Sequence, residues 1–339
     1  MGVNLDPVLV KHKTAIKDFS GNLVSVDAYN MLYQFLSGIR QQDGTPLMDL
    51  SGNITSHLSG LFYRTVALME EGLKPVYVFD GKPSPLKLRT LQERKLMREK
   101  NELDLETAIA EQDVERIARL KRSINRITRD MVEEGKMLLE AMGLPFVQAP
   151  SEGEAQASVM SAESQVQAVI SQDYDCMLFG ARKVLRNFTI YGRRRVSSRN
   201  IYVSVEPEYI DLQENLRNMG ISREQLIDMA ILIGTDFNDG IRGIGPKTAL
   251  TYLKKYGDIH GVLKEKNLDV PDLDAIREIF LKPEVIHEPK IAFRMPDNEK
   301  IMSILVEKHN FSVNRVSPYI EKLKQFMEKG TQSSLDSYF

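Results

Sequence analysis

Seven carboxylates in this sequence stand where apolar runs end or helices begin: Asp27, Asp80, Glu152, Glu154, Asp173, Asp175 and Asp236. One pair lies in VISQDYDCMLFG, residues 169–180, where an apolar run stops at Ser171 and two aspartates follow, one residue apart. Like charges held together cost energy, so the pair either flanks a cation or belongs to an ordinary polar turn. No His or Cys accompanies the seven acids, which disfavours zinc and copper; oxygen-only ligation suits Mg²⁺ or Mn²⁺. Acids in this number suit two ions roughly 4 Å apart, as in two-metal phosphodiester hydrolysis. One ion would help generate a hydroxide nucleophile, and the other would stabilise charge on the leaving oxygen. The competing reading is local. A strand-end aspartate commonly caps the following helix, and Ser151 with Glu154 fits a capping box, which leaves Glu152 unexplained.

Two further groups suit phosphate. Gly243-Ile244-Gly245-Pro246-Lys247, with Gly240 and Ile241 just before it, sits between two helical patterns. A Gly-x-Gly turn leading into a helix offers backbone N–H groups to a phosphate, with Lys247 nearby. It is similar to the hairpin of helix-hairpin-helix modules, which grip the DNA backbone without reading sequence; a plain interhelical turn is the alternative. The run from Leu86 to Arg98 is basic along one helix, and Lys87 and Arg94, seven apart, share a face close to Asp80. That face could hold a scissile phosphate, or be a solvated surface. Tyr33, six residues after Asp27, could stack on a base or fill a core.

The elements that must position these groups follow from apolar periodicity. Residues 23–26 read as a buried strand running into Asp27, and 28–36 as a helix. A helix over 57–73, apolar at Leu58, Leu61, Phe62, Val66 and Met69, leads to a strand over 75–79 that runs into Asp80. This is the strand–helix–strand unit of a parallel sheet. A third strand, 167–170, leads to Asp173 and Asp175, and 183–190 is a fourth. The pattern predicts an α/β fold, a mostly parallel central sheet with helices on both faces. Ligands of such sheets bind beyond the carboxyl ends of the strands, where the aspartates stand. The charged segment 85–143, nearly free of Gly and Pro, reads as two or more helices projecting from the sheet. From 206 to 256 the pattern is helical, broken at 240–245, and 329–339 reads as a tail without structure of its own.

The chain has 339 residues, 42% hydrophobic and 27% charged, enough for one large domain or two smaller ones. A formal charge of −2 argues weakly against a nucleic-acid partner, but Lys and Arg crowd 82–100 and 193–199. The single cysteine, Cys176, excludes an internal disulfide and suits a reducing compartment. No leader pattern, myristoylation motif or apolar run long enough to span a membrane is present, so a cytoplasmic protein is expected.

Six stretches together, VSVDAYNMLYQFL, GTPLMDLSGNITSHLSGLFYRT, PVYVFDGKP, QAPSEGEAQAS, SQDYDCMLFGA and GTDFNDGIRGIGPKTAL, resemble the structure-specific 5′ nucleases, and within them the flap endonucleases, most like the archaeal members. The resemblance covers most of residues 2–256. It implies a single nuclease domain over 1–326, with core residues 1–80, a helical arch or clamp at 81–130, an intermediate part 131–260 and a C-terminal helical part 261–326. A helix–two-turn–helix module falls at about 226–256, and a flexible tail at 327–339. It implies cleavage of 5′ flaps and 5′–3′ exonuclease action in DNA replication and repair, by a protein monomeric when alone. By position, the seven acids match the metal-site acids of two Mg²⁺ (Mn²⁺ substituting). Lys87 and Arg94 match the basic pair at the arch base, and Tyr33 the aromatic near the active site. Gly2 matches the N-terminal glycine close to the metals. Residues 240–245 with Lys247 match the duplex-binding turn, where carbonyls also hold K⁺. Gln332, Leu335, Tyr338 and Phe339 look like a docking peptide for the sliding clamp PCNA, an apolar plug anchored by the glutamine. A haloacid-dehalogenase-type phosphatase, which also uses Asp-x-Asp, wants the pair after its first strand rather than a later one.

Overall fold

The computed structural model describes residues 2–41, 44–124, 126–189, 192–196 and 201–336, and of 118, 122, 192–196, 201–204 and 330–336 the backbone alone. The strands are β1 (His12–Lys13), β2 (Leu23–Asp27), β3 (Lys74–Phe79), β4 (Phe146–Gln148), β5 (Ala168–Ile170), β6 (Lys183–Arg186), β7 (Gly192–Val196), β8 (Ile201–Val205) and β9 (Glu208–Asp211). Among the described residues seven form one sheet in the order β1-β9-β6-β5-β2-β3-β4, while β7 and β8 pair as a separate antiparallel hairpin. The central strands β4, β3, β2, β5 and β6 run parallel, and β9 and β1 close one edge antiparallel.

Among the described residues, α-helices make up most of the rest: α1 (Ala28–Gly38), α2 (Ser56–Glu70), α3 (Leu88–Ala110), α4 (Val114–Ser123), α5 (Arg129–Ala141), α6 (Gly153–Ala162), α7 (Asp175–Leu178), α8 (Leu212–Met219), α9 (Arg223–Ile233), α10 (Pro246–Tyr256), α11 (Ile259–Lys266), α12 (Leu273–Leu281), α13 (Asn298–Met302) and α14 (Val313–Asp336). Alternation along each strand sends side chains to opposite faces. Val24, Val26, Tyr77, Phe79, Ala168, Ile170 and Leu185 pack one apolar core with α1, α2, α5 and α14. Val76, Val78, Val147, Val169, Val184 and Ile210 pack the other with α6 to α12. Buried on both faces, the parallel strands place their carboxyl ends along one rim.

The charged segment after β3 behaves as its composition dictates. Helix α3 is built from strong helix formers without Gly or Pro; Ala108 is buried, while Leu96, Met97 and Leu103 stay exposed. Asp113 caps α4 by accepting from the Arg116 N–H. Helices α3 and α4 pack on each other, and α5 returns to the core through Val132, Leu138 and Leu139. Beneath the loop before α2, His309 bridges Asp49 (3.0 Å) and Glu134 (3.2 Å), and Glu134 also meets His57 (3.7 Å) and Lys308 (2.6 Å).

Three expectations are corrected. Residues 208–211 are not helical but form β9, because they pair with β6 on one side and β1 on the other. The strand expected over 183–190 ends at Arg186, where Asn187 turns the chain at φ 65°. The tail expected from 329 continues α14 as helix to Asp336, since no Gly or Pro after Gly330 breaks it; Tyr338 and Phe339 lie outside the described residues.

Candidate active site

The seven acids come from five separate segments. Asp27 ends β2 and caps α1, accepting from the Asn30 N–H at 2.9 Å, so the local capping reading holds for it as well. Asp80 follows β3 and accepts from the Gly153 N–H at 2.6 Å. Glu152 is the N-cap residue of α6 and Glu154 lies in its first turn. Asp173 follows β5 and Asp175 opens α7. Asp236 follows α9. A Cβ at Gly153 would stand 2.6 Å from Asp80 Oδ1, so only glycine lets α6 start against that carboxylate. The expected capping box at Ser151 does not form; the N-cap position is Glu152, which makes no capping hydrogen bond.

These side chains feel one another. Burial first, then the charge of Asp80, pushes Asp27 up to about 8. Burial raises Asp80 to about 6, with Glu152 and Asp236 adding repulsion. Burial and Asp173 raise Asp175 to about 7, although the Val3 N–H donated to it pulls the other way. Glu154 is driven far up by burial and by Asp175, Asp173 and Asp27. Asp236 goes the other way: burial opposes ionisation, but Lys87 and Arg94 hold it below the ordinary range. In turn, burial disfavours the Lys87 charge, and Glu152, Glu154 and Asp236 more than restore it.

Lys87 reaches into this cluster. Its ammonium bonds Glu152 and lies 3.5 Å from Asp236 Oδ2, while Arg94 Nη2 donates to Asp236 Oδ1 at 2.5 Å. Among the described residues no three donors close around one point at metal-ligand spacing. The donor set nevertheless fits a hard divalent cation. It is wholly carboxylate, and Glu152 Oε1 and Glu154 Oε2 are buried without a hydrogen-bond partner. Buried acids that repel one another need positive charge to stay ionised.

Tyr33 is 45% exposed on α1, so it is not a core tyrosine. Gly2 lies against the cluster: a Cβ there would be 2.7 Å from the Asp175 carboxylate. The turn 234–245 joins α9 to α10. Gly240 (φ 70°) is pressed so closely to Ile233 that a Cβ would sit 2.2 Å from its carbonyl oxygen, whereas Gly243 (φ 88°) is exposed and needs glycine for its backbone alone. Gly245 caps α10 without a side chain, and Pro246 occupies its first turn. The N–H groups of that turn have no intrahelical acceptor and carry the positive dipole end. Arg242, Gly243 and Lys247 are exposed on the same turn.

The structure adds residues that the sequence did not single out. Asn30 donates to Asp173 Oδ2 at 2.8 Å, and the Ser171 hydroxyl faces both Asp27 (3.4 Å) and the Asp173 N–H (3.2 Å). Thr90 Oγ1 donates to the Asp236 carbonyl at 2.8 Å, tying α3 to the acid rim. Asn30 had a usable signal, since it stands one helical turn after Asp27. For Gln332 and Leu335 the structure gives helical backbone.

The XPG N-terminal domain matches residues 1–101 and the XPG I-region residues 143–236. Flap endonuclease 1 of Picrophilus torridus is 58% identical over 339 residues, 100% of both chains. That of Methanosarcina barkeri is 47% identical over the same length and shares. The structure of flap endonuclease-1 from Methanococcus jannaschii superposes with a TM-score of 0.78 at 40% identity, covering 97% of this chain and 100% of that one. The catalytic core of Rad2 in complex with DNA substrate shares the fold, with a TM-score of 0.70 at 22% identity over 94% of this chain and 97% of its own.

Proposed function

Since this chain belongs to the flap endonuclease 1 family, we infer that it is a structure-specific nuclease that hydrolyses a DNA phosphodiester where a 5′ single strand leaves a duplex. The observation that carries the reading is the convergence of seven carboxylates from five segments, with the Lys87 ammonium bonded to Glu152 and 3.5 Å from Asp236. Such a pocket suits a phosphodiester brought in with divalent cations and suits few other substrates. The acids would hold two Mg²⁺, with Mn²⁺ able to substitute; bound, such ions supply Lewis-acid activation of water and neutralise the phosphodiester charge.

The residues of the chain do the rest. Lys87 and Arg94 orient the scissile phosphate from the base of α3 and are released from Glu152 and Asp236 as it enters. Tyr33 offers an exposed ring to a base at the junction. Gly2 lets backbone lie beside Asp175. Gly240, Ile241, Gly243, Ile244, Gly245 and Lys247 grip the duplex backbone, and carbonyls of that turn would hold K⁺. Gln332, Leu335, Tyr338 and Phe339 dock on the sliding clamp PCNA, which brings the enzyme to Okazaki-fragment ends and repair intermediates. Among the described residues no helix is long and apolar enough to cross a membrane, and the enzyme acts in the cytoplasm on nucleoid DNA.

Cleavage of an end-labelled double-flap substrate, with and without EDTA, tests this. Matched bubble, gap and nick substrates separate a flap enzyme from a relative with another preference. Asp175→Asn should abolish product yet retain flap binding; full activity of that variant at saturating Mg²⁺ would overturn the assignment.

A further inference from the structure

Between Asp173 and Asp175 stands Tyr174, whose side chain turns away from the acids and is 7% exposed. Its hydroxyl donates to Asp6 Oδ1 in the N-terminal segment. The Arg186 guanidinium lies 4.4 Å from the Tyr174 ring centre, and its Nη1 donates to the tyrosine oxygen at 2.6 Å and to Glu208 at 2.9 Å. Arg186 Nε donates to the Gln172 carbonyl at 3.2 Å, the peptide just before Asp173. Lys11 pairs with the same Asp6 oxygen, Oδ1. The N-terminal segment then returns to the cluster, where the Val3 N–H donates to Asp175 Oδ1 at 2.8 Å.

We propose that Tyr174, held by Arg186 and joined to Asp6, is a positioning residue that sets both the Asp173/Asp175 pair and the N-terminal segment lying over it. The inference rests on the nuclease reading of the acid cluster. A turn that carries two repelling carboxylates needs fastening. Here Asp173 is fastened by Asn30, Asp175 by the Val3 amide and the residue between them by Asp6 and Arg186. The phenol is suited to the task. Its hydroxyl is held between the Asp6 carboxylate, which Lys11 and then Tyr174 keep ionised, and the Arg186 guanidinium. Because Tyr174 sits one peptide from each aspartate, slack in this link moves both carboxylates and releases the segment that carries Gly2 and Val3.

The test uses the full chain with Tyr174→Phe, which keeps the ring under Arg186 and removes only the hydroxyl. Hydrogen exchange at the Val3 amide should speed up about tenfold, the worth of one hydrogen bond to a charged group. Mn²⁺ binding, read by electron paramagnetic resonance without DNA, should weaken several-fold. The Mg²⁺ midpoint of flap cleavage should rise by a similar factor with KM for DNA unchanged. Asp6→Asn should give the same shifts, and the double variant should be no worse than either single one, because both break one link. Unchanged Val3 exchange and Mn²⁺ binding in Tyr174→Phe, or additive effects in the double variant, would overturn the proposal. The exchange and Mn²⁺ measurements need no cleavage, so a wild-type chain that cut no flap would sink the nuclease reading separately.

Discussion

The Lys87 ammonium lies 3.5 Å from Asp236 Oδ2 while bonded to Glu152, which places one cation from the base of α3 inside a pocket of acids drawn from the sheet rim. Where a divalent ion and a phosphate enter, that lysine has a new partner to orient. Lys87→Ala should lower single-turnover cleavage on the order of 10²-fold, the scale of one lost charge-stabilising donor. Arg94→Ala should fall in the same direction, and flap binding in Ca²⁺ should change far less than the rate. Equal losses in binding and rate would assign these residues to DNA affinity alone.

The raised acids make cation binding depend on pH. Asp27, Asp80 and Asp175 hold protons up to about 8, 6 and 7. A folded pKa above the unfolded one gives stability that is complete below the unfolded value and is lost as pH rises through the folded value. The metal-free fold should therefore lose stability between about pH 4 and pH 8 through these groups. A divalent cation must displace their protons, so its apparent affinity should increase from pH 6 to pH 8, by up to ~10-fold per unit for each proton released. Mn²⁺ titration at several pH values, with proton release followed in weak buffer, checks both statements.

Glu134 offers the opposite sign at a distance from the acids. Contact with His57 in first place, and then Lys308 and His309, holds it down to about 2 against an ordinary 4.5. A depressed carboxyl contributes stability above the unfolded value and loses it as pH falls through the folded one. Wild type should lose part of its stability between about pH 4.5 and 2, and Glu134→Gln should be destabilised at pH 7 with a shallower acid decline. Acid titration by circular dichroism tests the slope.

Gly240 carries both a left-handed backbone and a crowded Cβ position, 2.2 Å from the Ile233 carbonyl oxygen. Gly240→Ala should cost about 1–3 kcal/mol and weaken duplex binding. Gly243→Ala meets open space and strains only its own φ, so its penalty should be smaller. Thermal melts with fluorescence anisotropy on blunt duplex DNA separate the two effects.

Removal of 332–339 should leave cleavage of a free flap substrate intact and abolish stimulation by the sliding clamp. Stimulation retained by the truncated chain would place clamp contact elsewhere.

Much of the site is legible in the amino-acid sequence because short buried strands give continuous apolar runs that end abruptly. Asp27, Asp80, Asp173 and Asp175 can be placed on one rim from strand direction alone, and the glycines around Gly243 declare a turn. Strand β9 is not legible: a four-residue strand beside a helix carries little periodicity, and pairing with β6 and β1 decides its fate. Nor are the Asn30, Thr90 and Val3 contacts, which join residues 143, 146 and 172 positions apart.

The order of residues was enough to set which chemistry is available: hard oxygen donors without imidazole or thiolate, bases along one helix face, and glycines where the backbone must turn left-handed. Those are properties of residue type and near neighbours. Long-range packing, and nothing short of it, brought the acids together at one rim, set Lys87 among them as their counter-charge and braced the turn between two of them with Tyr174. Burial and mutual charge depend on distances across the fold, and no local spacing encodes those distances.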